Sequence, residues 1–213
     1  MLARADVARL PLPDESVDLI FTDPPYSRDA LPLYGWLAQE AARVLSPGGF
    51  LLAMAGGTYL NEVFRRLDDS GLMFFWQYHV VLTGWASGIV WTRSRPKTTI
   101  NVRNKPIIAY SKGDNTPRTS TISMFNGSGG DKRFHHWGQD ISSARYFIDC
   151  FTSPGDLVCD PMVGGGTTGV ACQLLNRRFI GFDLDMDACK ITEDRLENSD
   201  AIVNLPLFNR NGK

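Results

Sequence analysis

The chain has few cysteines, almost no net charge and no long apolar run. Its four cysteines are Cys150, Cys159, Cys172 and Cys189, in 213 residues. None belongs to a C-x-x-C pair and no histidine stands at zinc-finger spacing from them. A disulfide framework and a structural zinc site are therefore not expected, and the thiols are read as reduced, which fits a cytoplasmic protein. The formal net charge is -1. A protein that merely coats nucleic acid is usually basic overall, so any such surface here has to be local. The apolar stretch around residues 50–55 is far shorter than the roughly 20 residues of a membrane span. Met1 to Asp6 contain no apolar h-region, so no secretory signal and no membrane partner are predicted.

What remains is the composition of a globular chain, long enough to bury a core. Residues 17–21, apolar except for Asp18, read as a buried strand. Pro24 and Pro25 cut it off, because proline cannot continue a ladder. Residues 33–45 have helical spacing, with Trp36, Leu37, Ala41 and Val44 assigned to one face. Ser46-Pro47-Gly48-Gly49 is read as the stop, and residues 50–54 as the next strand. A helix over 60–67 and strands over 74–82 and 107–110 follow. Residues 111–130, rich in Ser, Thr, Gly and Asn, read as a mobile loop or small insertion. Beyond them come a helix (142–151), a strand (157–159), a helix (168–175), a strand (179–182) and a closing helix (187–198). This alternation predicts an α/β fold with a mostly parallel central sheet flanked by helices. A single domain is expected over residues 1–203, with an insertion at about 111–137 and a tail over 204–213.

Two motifs carry chemistry. In the first, Val158-Cys159-Asp160-Pro161-Met162-Val163-Gly164-Gly165-Gly166-Thr167-Thr168 follows a strand and opens a helix. Glycines let a backbone approach a ligand, and a helix start offers free N–H groups. Asp183 ends the next strand, about twenty residues on, where an acid suits ribose hydroxyls. No Gly-Lys-Ser/Thr ending is present, so no triphosphate cradle is expected; with Asp183 placed for a ribose, a ligand with an adenosine part is the expectation. A glycine triplet alone would be only a turn; strand, acid and helix around it favour a ligand site.

The second motif, Asp23-Pro24-Pro25-Tyr26, is a carboxylate, a stiff backbone and an aromatic ring at a strand end. Such a ledge can accept hydrogen bonds from an amino group while Tyr26 stacks on the ring that bears it. A ring-conjugated amine is a poor nucleophile; accepting its protons gathers electron density on nitrogen and orients the lone pair. In isolation the tetrad would equally be a turn with a structural aspartate.

Together the motifs resemble those of the DNA amino-methyltransferases, in the permuted (β) order in which the catalytic motif comes first. The resemblance runs from about residue 5 to 196 and includes 12–26, 153–168 and 178–185. It implies a Rossmann-like methyltransferase fold, S-adenosylmethionine as cofactor and DNA as partner, with the target base flipped out of the duplex. It implies that Asp23, Pro24, Pro25 and Tyr26 form the catalytic ledge. Asp160 and the loop residues Gly164, Gly165, Gly166, Thr167 and Thr168 would hold the methionine part and Asp183 the ribose, with Pro161, Met162 and Phe182 also contacting the cofactor. Asp6 would lie near the adenine, although Ala5 replaces the glycine usual before it. Met162 stands where phenylalanine is common, and Gln139-Asp140 where a Lys-Pro is common. A homodimer and a cognate restriction endonuclease are partners of the same resemblance.

Residues 91–113 contain Arg93, Arg95, Lys97, Arg103 and Lys105 and no acid, with Trp85 and Trp91 close by. They are assigned to DNA contact, positioning the duplex rather than reading it. Base reading falls to the insertion. His135 and His136 lack ligand-spaced partners and are not assigned to a metal. The leading activity is site-specific methylation of the adenine N6 amine. The alternative is cytosine N4; aspartate at the first tetrad position leans toward adenine. Cytosine C5 methylation needs a cysteine nucleophile, usually after proline, and no Pro-Cys occurs. A non-catalytic DNA-binding protein on the same scaffold is the alternative of another class.

Overall fold

The computed structural model describes residues 1–82, 88–91, 99–127 and 141–198. In chain order the elements are β1 (Leu2–Arg4), β2 (Val17–Thr22), α1 (Leu31–Val44), β3 (Leu45–Met54), α2 (Leu60–Asp68), β4 (Met73–Leu82), β5 (Gly88–Trp91), β6 (Thr99–Val102), β7 (Asn104–Ser111), β8 (Met124–Gly127), α3 (Ile141–Phe151), β9 (Leu157–Asp160), α4 (Thr167–Leu174), β10 (Arg178–Asp183) and α5 (Met186–Glu197). One sheet carries eight strands in the order β1-β10-β9-β2-β3-β7-β4-β8. Its first five strands are mutually parallel, β7 is antiparallel to β3 and β4, and β8 pairs parallel with β4. β5 and β6 form a separate antiparallel pair.

The sheet has a core on each face, which is why β2 carries consecutive apolar residues at Leu19, Ile20 and Phe21. Val17 and Ile20 pack with Leu37, Ala41 and Val44 of α1. Leu19 and Phe21 pack on the opposite face with Phe147 and Ile148 of α3. Tyr34 of α1 reaches across to donate from its hydroxyl to the Met54 carbonyl at 3.0 Å, which ties the helix to the end of β3.

Three local expectations are corrected. Trp36 is not on the buried face of α1: the helix buries Leu31, Tyr34, Leu37, Ala38, Ala41 and Val44, and Trp36 is 43% exposed. Residues 46–49 do not separate helix from strand. β3 begins at Leu45, and those residues bulge out between the Val17–Leu45 and Leu19–Phe50 pairs. Gly48 adopts φ +85 there, and a side chain at that position would meet the Asn115 amide at 2.9 Å. The segment after β7 is not a loose loop as far as it is described. Arg118 N–H donates to the Cys150 carbonyl, Ile122 N–H to the Tyr146 hydroxyl, and β8 adds an edge to the sheet. Residues 128–140 and the expected tail at 204–213 lie outside the described residues.

All four cysteines are buried and unpaired. Among the described residues no helix is long and apolar enough to cross a membrane, and no His/Cys/Asp/Glu cluster could hold a metal.

Candidate active site

β2 and β9 are parallel neighbours, yet the chain leaves β2 toward β3 and leaves β9 toward β10. In an open parallel sheet that reversal opens a crevice beyond the carboxyl ends of the strands. Asp23 follows β2, Asp160 ends β9 and Asp183 ends β10. All three line one cavity of about 690 Å³, within the usual range for small-ligand sites. The two sequence motifs therefore share a single site.

On the β9 side, Asp160 is buried and organises the loop. One of its oxygens accepts from the Met162 N–H at 3.1 Å and the other from the Thr168 hydroxyl at 2.6 Å. Burial pushes its carboxyl up to about 6, and the neighbouring Asp23 adds to this; the hydrogen bonds oppose it. The loop is pinned to β10 as well, since Val163 N–H donates to the Phe182 carbonyl and Gly164 N–H to Asp183 at 3.1 Å. The second Asp183 oxygen accepts from Asp185 N–H at 3.0 Å.

α5 supports the loop from below. The Thr192 hydroxyl donates to the Gly164 carbonyl at 3.2 Å, and buried Arg195 donates to the Gly165 carbonyl at 2.5 Å and to the Thr167 hydroxyl at 3.3 Å. Sequence reasoning missed both residues. The sole cue was a hydroxyl and a cation three residues apart on the closing helix, and that spacing names no partner.

On the β2 side, Asp23 is held by two donors. The Tyr26 hydroxyl donates to one oxygen, and Lys105 Nζ lies 3.2 Å from the other. The ammonium also stands 5.4 Å from the centre of the Tyr26 ring. Tyr26 is 38% exposed, with its hydroxyl turned inward. Burial of that hydroxyl, then the charge of Asp23, push the phenol well above its ordinary range, so it stays protonated and donates at neutral pH. β3 ends close by: a Cβ on Gly56 would fall 2.9 Å from that of Tyr26, so only glycine permits this approach.

Most expected site residues line the cavity: Asp23 to Tyr26, Asp160 to Met162, Gly164, Gly165, Thr167, Thr168 and Asp183. Three expected cofactor contacts are outside its wall. Asp6 is exposed and folds back to accept from Ala8 N–H at 2.9 Å, leaving Ala5 and Val7 to face the cavity. Phe182 is fully buried in the core beside β1 and α1, because strand alternation turns it away from the face that Asp183 uses. Gly166 caps α4 at φ +74 against Thr192. Lys105, expected on a phosphate-binding surface, faces into the cavity instead. Arg103 is exposed. Arg93, Arg95, Lys97, Trp85, His135 and His136 lie outside the described residues.

Residues 141–194, from α3 into α5, match the N6/N4 family model described as DNA methylase. Over that stretch the chain resembles the N6/N4 DNA methylases. The chain is 25% identical over 222 residues to the Type II methyltransferase M.HpaI of Haemophilus parainfluenzae, covering 88% of this chain and 70% of that protein. It is 27% identical over 240 residues to M.BamHI of Bacillus amyloliquefaciens, covering 89% of this chain but 54% of that protein. The chain thus spans about half the length of one of these relatives. Its fold is shared with the crystal structure of the M1.HpyAVI–SAM complex, with a TM-score of 0.72 and 21% identity over 92% of this chain and 98% of that one.

Proposed function

We propose that this protein transfers a methyl group from S-adenosylmethionine to the exocyclic N6 amine of adenine in DNA. The observation that carries the reading is the opening of Asp23 and Asp160, at the ends of adjacent strands, into one cavity. The residues fit the cofactor. A glycine loop with a helix start would hold the methionine end, and Asp183, one strand away, would take the ribose hydroxyls. The bound cofactor supplies an electrophilic sulfonium methyl group. Met162 offers a polarizable side chain to pack against it.

Asp23 and the Pro24 carbonyl would accept the two amine protons. Each carboxylate oxygen has a second lone pair, so Asp23 can take an amine proton while still holding Tyr26 or Lys105. Tyr26 presents a partly exposed ring on which the flipped base stacks. Arg103, with Arg93, Arg95 and Lys97, is assigned to phosphate contact.

The test is to incubate the protein with labelled S-adenosylmethionine and mixed-sequence DNA, then separate the nucleosides. Label in N6-methyladenine is expected; label in N4-methylcytosine would move the reading to cytosine. Asp23→Ala should lower the rate by at least about a hundredfold and leave cofactor binding intact. A fully active Asp23→Ala protein would remove the tetrad from the mechanism. Bound DNA with no label transferred by the unaltered protein would favour a non-catalytic role.

A further inference from the structure

Lys105 sits in a basic run, but its strand reverses its meaning. β7 runs antiparallel to β3, so the start of β7 arrives where the parallel strands end. The Lys105 side chain is 16% exposed and lines the cavity with Asp23 at 23%. A phosphate-binding lysine presents its ammonium on open surface; this one is 3.2 Å from Asp23 Oδ2 and lies over the Tyr26 ring. It occupies both surfaces that the target base would use.

Resting on the methyltransfer reading above, we propose that Lys105 reads the target base, donating a hydrogen bond to the ring nitrogen beside the amine that Asp23 holds. That nitrogen is N1 in adenine and N3 in cytosine. Asp23 and Lys105 form an adjacent acceptor and donor. Adenine and cytosine present the complement on their pairing edges, an amine donor next to an unprotonated ring nitrogen. Guanine and thymine carry a proton on the corresponding nitrogen, and donor would face donor. As the base stacks on Tyr26, the ammonium moves from the ring face to the base edge and keeps Asp23 as its partner.

The contact also bears on regiochemistry. The lone pair of the ring nitrogen is not delocalised, so this atom is the stronger nucleophile. A cationic hydrogen bond occupies that lone pair and shields it from the methyl donor. The bond draws some density from the amine, which Asp23 offsets by accepting the amine protons. In the productive step the amine lone pair forms the N–CH3 bond. The S–CH3 bond breaks with its electron pair left on sulfur, and one amine proton leaves to the Asp23 carboxylate.

The experiment pairs the side chain with the base atom. Once the unaltered protein has shown which base it methylates and where, that base is replaced in a synthetic duplex by 1-deazaadenine or 3-deazacytosine, which have C–H in place of the ring nitrogen. The unaltered protein should lose about ten- to a hundredfold in kcat/KM on the deaza base, the scale of one hydrogen bond to a charged group. Lys105→Met should show a similar loss on the normal base and no further loss on the deaza base. Its digests should contain ring-methylated base, which a merely structural change would not produce. Lys105→Gln, which keeps a donor, should retain part of the sensitivity. If the unaltered protein is indifferent to the ring nitrogen, or if the two losses multiply, Lys105 does not touch that atom and this inference falls alone. If the unaltered protein labels no DNA, the methyltransfer reading falls and takes this inference with it.

Discussion

Replacing Asp160 with Asn should make the protein more stable at neutral pH, although the change strikes a residue that organises the site. Burial raises the Asp160 carboxyl from 3.8 to about 6, a rise of about two units. At 1.36 kcal/mol per unit this is about 3 kcal/mol. The sign follows from linkage. The folded-state value is raised, so the contribution of Asp160 to stability is fully present below the unfolded pKa near 4. It is lost as pH rises through about 6. Above that, the folded chain bears a buried carboxylate that the unfolded chain solvates freely. Asn carries no such charge and can still accept from Met162 N–H, so its effect on packing is a constant, independent of pH. The assay is urea unfolding of both proteins from pH 4 to pH 8, without ligand. The stability of Asp160→Asn relative to the unaltered protein should rise by about 3 kcal/mol, mostly between pH 4 and pH 6, and then level off. A difference that stayed flat, or that fell with pH, would refute the argument that burial dominates at this carboxyl.

Gly166→Ala forces a Cβ to within 2.8 Å of Thr192 at a residue with φ +74, and should cost about 1–3 kcal/mol, read by urea unfolding. Arg195→Met keeps the buried stem but removes the donors to the Gly165 carbonyl and the Thr167 hydroxyl. S-adenosylmethionine binding, measured by calorimetry, should weaken by at least about tenfold, the scale of one hydrogen bond to a charged group, with the fold retained in circular dichroism. Arg43→Ala breaks a cluster in which one guanidinium binds Glu40, Asp14 and the carbonyls of Leu10 and Leu12. The cost should be about 1–2 kcal/mol, since Arg43 is partly exposed, and unfolding curves read it.

Much of the parallel half of the fold was legible because its signals are local. β2 is a mostly apolar segment closed by prolines, and α4 opens on glycines whose loop needs no distant partner to be recognised. β1 was illegible: Leu2–Arg4 has no pattern of its own and is a strand because β10 offers an open parallel edge. β8 was hidden in a polar segment for the same reason, with β4 as its template. Trp36 shows the limit of periodicity, since an aromatic one position off the apolar stripe can be counted into it. Of the site, Asp23, Asp160 and Asp183 were each readable from a strand end. Lys105 was not, because its neighbours in sequence are basic and only the antiparallel turn of β7 carries it to Asp23. Arg195 was hidden for a similar reason: its partner, the Gly165 carbonyl, belongs to the backbone and leaves no mark in the composition.

The seam between β2 and β9 joins an early-synthesised segment to one made about 140 residues later. During translation β2 can pair with β3 and fold against α1 long before β9 exists. Its other edge, bearing Leu19, Ile20 and Phe21, then waits unpaired and apolar, the kind of strand edge that recruits other chains. A nascent or truncated chain ending before Leu157 is thus expected to be sticky as well as inactive. The same seam delays assembly of the site until β9 has been made, so a chain caught before then has the amine ledge without the second wall against which it would work.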